Sequence, residues 1–272
     1  MKTAIVVSTP GAKFEAVAIK GAISDGMAKM AKLGYDGVEL AVRDPVMVDP
    51  KEITSLANRL NLGIPALGTG QAYGEEGLSF TDPDESLRRR AVERILAQTE
   101  LAEKLNAMVI IGLIRGTIAE GVSKDQAMAW LDEALTECAR AAADRGVALV
   151  LEPLNRYETV LLNTISESAE LIERIGQDNV GLLIDTFHMN IEEPSMEGSI
   201  RAAARMIMHV HVADSNRWAP GAGHIDFRSI VKTLKDVGYD GYISVEAMPK
   251  PSADELAVAS LKHLKGILAE VG

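Results

Sequence analysis

The sequence predicts a single (β/α)8 barrel over residues 1–272, an α/β fold, and three observations carry that expectation. Eight short apolar runs recur along the chain, amphipathic stretches of helical period separate them, and no Ser/Gly-rich linker or charge block breaks the alternation. The length of 272 residues suits one such barrel, since this fold commonly forms a single domain of about 250 residues. An open doubly wound sheet is the runner-up, but no GxGxxG motif follows the first run.

Taken in order, the expected strands are Thr3 to Ser8, Gly37 to Val42, Leu62 to Gly68, Ala107 to Leu113, Val147 to Glu152, Val180 to Asp185, Met208 to Ala213 and Tyr242 to Glu246. They are rich in aliphatic and β-branched residues, as strands buried on both faces are. Helix signals fall between them. AKLG ends a helix at Gly34, Asp49 caps one with Pro50 in its first turn, and DPDE opens another near Asp82. SKDQ opens one at Ser123, SESAE another at Ser166, and the segment HIDFRSIVKTLKDVG closes at Gly238. The segment GTGQAYGEEG, Gly68 to Gly77, reads either as a mobile lid with Tyr73 closing over a ligand or as an ordinary surface loop.

Composition narrows the function. A hydrophobic fraction of 47% with only 4% aromatic residues describes a large aliphatic core. Thirty-nine acidic against 28 basic residues leave a net charge of -11, which opposes general affinity for nucleic acid or an anionic membrane and favours a small-molecule substrate. The N-terminal apolar stretch before Pro10 is too short for a signal-peptide core, and no run of about 18 apolar residues suggests a membrane span. The single Cys138, in a helical segment, excludes an internal disulfide and fits a reducing cytoplasm.

Four apolar runs in the C-terminal half each end in a metal-capable side chain: Glu152, Asp185, His211 and Glu246. In a barrel the strands' C-terminal ends carry the chemistry, and these residues are separated by 33, 26 and 35 positions, about one βα unit each. Three carboxylates and an imidazole converging without a cation would be costly, so the set reads as a metal site. Its hard oxygen donors suit Mn2+ first, then Mg2+ or Co2+. His209, one layer deeper on the same strand face, reads as support or packing rather than a ligand.

The strings EPLNRYET (Glu152 to Thr159), DTFHMNIEE (Asp185 to Glu193) and ADSNRWAPGAGHIDF (Ala213 to Phe227), with strand-end Glu246, resemble the ketose 3-epimerase branch of the xylose-isomerase-like sugar epimerases and isomerases. That branch includes the D-tagatose and D-psicose 3-epimerases. The resemblance implies a metal held by Glu152, Asp185, His211 and Glu246, with the two glutamates also exchanging the substrate's proton. It further implies that Glu158, His188 and Arg217 hold substrate oxygens, and that the protein assembles as a homodimer or homotetramer. Trp218, beside Arg217, fits either the substrate's apolar face or a subunit contact.

The chemistry is consistent with the residue types. A proton α to a ketone leaves readily only if the enediolate is stabilised, and epimerisation needs a base on one face and an acid on the other. An aldose–ketose or hydroxypyruvate-type isomerase would use the same metal site, and a sugar-binding barrel is the non-enzyme alternative. A DNA-repair endonuclease with three zinc ions would need more than the five histidines present and a basic surface. Arg43 and Arg115 follow the second and fourth runs, where guanidinium groups would suit a substrate carboxylate or phosphate, or equally a local salt bridge. The strings STPGAKFEA, VELAVRDP and GTGQAYGEEGLS look more like the branch proposed to act on keto sugar acids such as 5-keto-L-gluconate and D-tagaturonate. A ketohexonate is therefore the expected substrate, with a neutral ketose as the alternative.

Overall fold

A computed structural model describes residues 1–9 and 11–271; Pro10 and Gly272, which the single-domain range includes, lie outside the described residues. Its sheet runs β1 (Lys2–Ser8), β3 (Gly37–Ala41), β4 (Ala66–Gly68), β5 (Met108–Ile111), β6 (Leu149–Leu151), β7 (Val180–Asp185), β8 (Ile207–Val212) and β9 (Tyr242–Val245), every neighbour parallel. Pairing of β1 with β9, from Lys2 beside Tyr242 to Ile5 beside Val245, closes the barrel. Helices surround it, and the fold is the expected (β/α)8 barrel.

Several boundaries differ from the sequence expectation. The third strand is much shorter than Leu62 to Gly68, because Pro65 lacks an N–H and only Ala66 to Gly68 pair in strand form. The fourth stops at Ile111, since Leu113–Arg115 turns into a 3-10 helix. A two-residue strand, β2 (Ile19–Lys20), adds to β1 outside the ring of eight. The segment Gly68 to Gly77, read either as a lid or as a surface loop, contains a short helix, α3 (Gly70–Glu76).

The helix signals have clear local causes. Asp49 caps α2 (Pro50–Leu60) by accepting from the Lys51 amide, and Ser123 caps α5 (Lys124–Ala143) through the Gln126 amide. The helix expected from Ser166 starts earlier, at α6 (Ile165–Ile175), where Thr164 and Glu167 form a capping box. Cys138 is buried on α5, its thiol pushed up to about 12 by burial. Among the described residues no helix is long and apolar enough to cross a membrane.

Strand alternation divides the core into two layers and aims the site. Val38, Leu40, Val109, Ile111, Leu149, Leu151, Leu182, Ile184, Val210 and Val212 join the large cluster between strands and helices. The alternate residues Ala66, Ile110, Val150 and Leu183 form a separate small cluster inside the barrel. Continuing that inward parity places Glu39, Glu152, Asp185, His209, His211 and Glu246 in the interior, at its C-terminal mouth. A register irregularity at Leu182 and Leu183 pairs Leu183 with His209 and Asp185 with His211, so carboxylate and imidazole end side by side.

Candidate active site

Glu152, Asp185, His211 and Glu246 each offer one donor atom, and these four atoms lie within 4.8 Å of one another. His211 Nδ1 is 3.5 Å from Glu152 Oε1 and 3.9 Å from Glu246 Oε2. Glu152 Oε1, Asp185 Oδ2 and His211 Nδ1 are buried without a hydrogen-bond partner among the described residues. Buried polar atoms are ordinarily satisfied, so three unsatisfied donors aimed at one point fit a cation.

The electrostatics of the protein alone show the strain a cation would relieve. Burial, reinforced by the neighbouring Glu152 charge, pushes the Asp185 carboxyl up to about 6. Burial drives Glu246 further, to about 8, the charge of Glu152 adding to it against the pull of His211. Glu152 differs: burial would raise it too, but contacts with His211, then His188 and Arg115, hold it below the usual carboxylate range. The two glutamates are thus pushed apart, one toward the ionised and one toward the protonated form.

Beside this cluster, Asn155 orients His188. The Tyr157 amide donates to Asn155 Oδ1, which turns Nδ2 toward His188 Nδ1 at 2.7 Å, and the Asn155 backbone N–H donates to the same Nδ1 at 3.3 Å. His188 Nδ1 is therefore the acceptor, and Nε2 carries the hydrogen. That Nε2 has no hydrogen-bond partner among the described residues and lies 4.0 Å from both Glu152 Oε1 and Asp185 Oδ2. Burial lowers the His188 imidazole to about 3, which keeps it a neutral donor.

Arg217 comes from the loop after β8. Asp214 stitches that loop by accepting from the amides of Ser215, Gly221 and Ile225, and Arg217 itself takes a positive φ of 61°. Its guanidinium packs on the rings of Phe187 and Phe14, donates to Glu158 Oε1 at 2.7 Å and lies 3.8 Å from Glu246 Oε2. Asn155 Nδ2 also donates to Glu158 Oε1, at 3.1 Å. Glu152, Glu158, His188, His211, Arg217 and Glu246 all line one cavity, whose wall is completed by Phe14, Val17, Leu113 and Leu154.

Four residues offered for the rim lie outside the cavity lining. Arg43 pairs with Glu75 at 3.2 Å and Glu76 at 3.6 Å, both on α3, and does not line the cavity. Arg115 is fully buried behind the wall, where its Nη1 donates to the Glu152 carbonyl and burial lowers it to about 10. Tyr73 is on α3 and outside the cavity lining, and Trp218 is 40% exposed and also outside it. Sequence reasoning missed Glu39, Asn155 and Gly112. The signal for Glu39 was its inward parity within GVELA; Asn155 carried none beyond its place in EPLN.

Gly112 makes a direct test of how tightly Glu152 is held. A Cβ there would come within 2.8 Å of Glu152 Oε2, so Gly112→Ala must displace the carboxylate, the movable end of a side chain, rather than the backbone. The expected result is near-normal thermal stability with kcat reduced about 100-fold, the scale of a small misplacement of reacting groups. An equal loss of stability and activity would contradict it.

An inward ring of carboxylates and imidazoles at the mouth of such a barrel defines a class, and comparison identifies it: the chain belongs to the xylose isomerase-like TIM barrel family, matched over residues 27–267. It is an enzyme of the isomerase class acting on carbohydrates. It is 36% identical over 236 residues to L-ribulose 3-epimerase of Mesorhizobium japonicum, covering 84% of this chain and 76% of that one. To D-psicose 3-epimerase of Ruminiclostridium cellulolyticum it is 33% identical over 227 residues, covering 80% and 75%. The solved structure of D-psicose 3-epimerase with D-tagatose from Clostridium cellulolyticum H10 superimposes with a TM-score of 0.84 at 26% identity, covering 98% of this chain and 99% of that one.

Proposed function

We propose that this chain is a divalent-metal-dependent 3-epimerase of a neutral ketose, with Glu152, Asp185, His211 and Glu246 holding one ion and the two glutamates exchanging the C3 proton. The observation that carries it is the convergence of four strand-end donors, three of them unsatisfied, beside two glutamates of opposed protonation tendency. The donor set suits Mn2+, with Mg2+ or Co2+ as substitutes. When bound, a divalent cation supplies positive charge that stabilises the enediolate formed as the C3 proton leaves.

The chain's own residues account for the remaining work. Glu152 on the β6 end, ionised, takes the C3 proton, and Glu246, three strands around the barrel and protonated, returns one to the other face. The reverse reaction swaps the roles. His188 Nε2–H donates to a substrate oxygen, Arg217 donates to another, and Glu158 accepts from a hydroxyl. Phe14, Val17, Leu113 and Leu154 exclude water around them.

The substrate class follows from charge. A carboxylate or phosphate needs an unpaired guanidinium charge in the cavity, yet Arg43 and Arg115 do not line it and the charge of Arg217 is already faced by Glu158 and Glu246, which leaves its N–H groups to a neutral oxygen. A neutral ketose therefore replaces the ketohexonate as the class we propose, in keeping with a relative that binds D-tagatose. The test is incubation of Mn2+-loaded protein in D2O with D-tagatose, D-psicose, L-ribulose and 5-keto-L-gluconate, followed by NMR. Deuterium at C3 with the C3 epimer as product is expected for the neutral ketoses. Turnover of the sugar acid alone, or an aldose product, would contradict the proposal. Exposed Tyr157, Val160 and Trp218, on the loops after β6 and β8, offer apolar surface for the homodimer or homotetramer that completes this reading; light scattering measures it.

A further inference from the structure

Glu39, on β3, is a buried carboxylate with no part in the chemistry above, yet it lies directly beneath His211. Its Oε2 is 2.8 Å from His209 Nε2 and 2.9 Å from His211 Nε2, and its Oε1 is 3.1 Å from His211 Nε2. The two rings meet edge to face, with centroids 5.3 Å apart. An ionised carboxylate only accepts hydrogen bonds, so each imidazole must present Nε2–H to it. As a metal ligand the imidazole is neutral and carries one N–H, and with that hydrogen on Nε2 the Nδ1 of His211 is left as a bare lone pair. That Nδ1 is the atom facing Glu152 and Glu246, and it has no hydrogen-bond partner among the described residues.

We propose that Glu39 is a positioning residue that fixes His211 in the Nε2–H tautomer and holds its ring so that Nδ1 serves the strand-end metal, with His209 as the second donor that anchors Glu39. The inference rests on the metal reading of Glu152, Asp185, His211 and Glu246. It also decides between two arrangements that the geometry permits, because Glu39, His209 and His211 could themselves surround an ion. An ion there would take the Nε2 lone pair of His211 and leave Nδ1–H facing the carboxylates, which removes His211 from the upper set. The two sites exclude each other. Among the described residues three donor atoms of the upper set are unsatisfied, whereas both Nε2 atoms below already have Glu39 as partner and the unpartnered nitrogen of His209 is Nδ1, not the one beside Glu39.

Two measurements test this. In wild-type protein loaded with diamagnetic Mg2+, nitrogen-15 NMR of the imidazoles is expected to show His211 with hydrogen on Nε2 and none on Nδ1. A hydrogen on Nδ1 would overturn the proposal whatever the variants do. Glu39→Gln places an amide N–H where a carboxylate oxygen accepted, and Mn2+ affinity read by EPR is expected to fall about 10- to 100-fold. Thermal stability of the metal-free form is expected to stay close to wild type, kcat at saturating Mn2+ to recover, and Glu39→Asp to restore part of the affinity. Wild-type binding of Mn2+ matched by Glu39→Gln would end the positioning role and leave the metal reading intact. Absence of Mn2+ binding in the wild type would end the metal reading, and this inference with it.

Discussion

Glu246→Gln yields a folded barrel whose kcat drops about 100- to 10,000-fold, the usual contribution of a positioned acid or base. Glu152→Gln behaves the same way, for a different reason. Glu246 is the group pushed up to about 8 by burial, so it carries the proton that must be delivered. Glu152 is held ionised by His211, His188 and Arg115, so it is the group that takes one. An amide matches each carboxyl in size but neither accepts nor releases a proton at neutral pH. The diagnostic is asymmetry: starting from one epimer, the variant lacking the base fails to exchange the C3 proton, whereas the variant lacking the acid still washes deuterium into recovered substrate. Normal epimerisation by either variant would remove the opposed-glutamate mechanism.

Chelation is expected to abolish activity, and Mn2+ affinity to rise with pH from about 6 upward, by about tenfold per unit for each proton displaced. Asp185 and His211 are raised in the folded protein, so each must lose a proton to bind the ion. The same shifts govern stability without metal. A carboxylate whose folded pKa lies above its unfolded value binds more protons when folded, so its contribution to stability falls as pH rises through that interval. His211, held well above its usual value mainly by the charge of Glu39 against the effect of burial, acts in the same direction above about 6.5. The metal-free protein is therefore expected to melt lower near pH 8 than near pH 6, and added Mn2+ to raise Tm more at the higher pH. A melting temperature that climbs with pH in EDTA, or an affinity flat across this range, would contradict the shared-charge account of the site.

Much of this was legible in the sequence, for reasons particular residues make clear. The four strand-end donors could be found because a polar residue closing an apolar run recurs at the βα rhythm, and that rhythm is a one-dimensional signal. Glu39 could not, because a glutamate inside GVELA looks like ordinary strand alternation until its inward face meets two histidines 170 and 172 positions away. Arg43 and Arg115 occupy equivalent places after their strands and have opposite fates. Arg43 swings out to Glu75 and Glu76 because the Gly-rich segment that reads as a loop forms α3 and carries them there. Arg115 turns inward because residues Leu113–Arg115 close into a 3-10 helix that tucks the guanidinium against the Glu152 carbonyl.

By itself the sequence determined the barrel and the ring of donors at its mouth, which depend on period, parity and spacing along the chain, while the strings EPLNRYET, DTFHMNIEE and ADSNRWAPGAGHIDF carried the resemblance to sugar epimerases. Only the tertiary structure decided which nitrogen of His211 faces the ring, in which direction burial and neighbouring charges push each glutamate and which arginines reach the cavity. These are set by distances between groups far apart in sequence and by burial that changes the energy of their charges, and neither quantity exists until the barrel has closed.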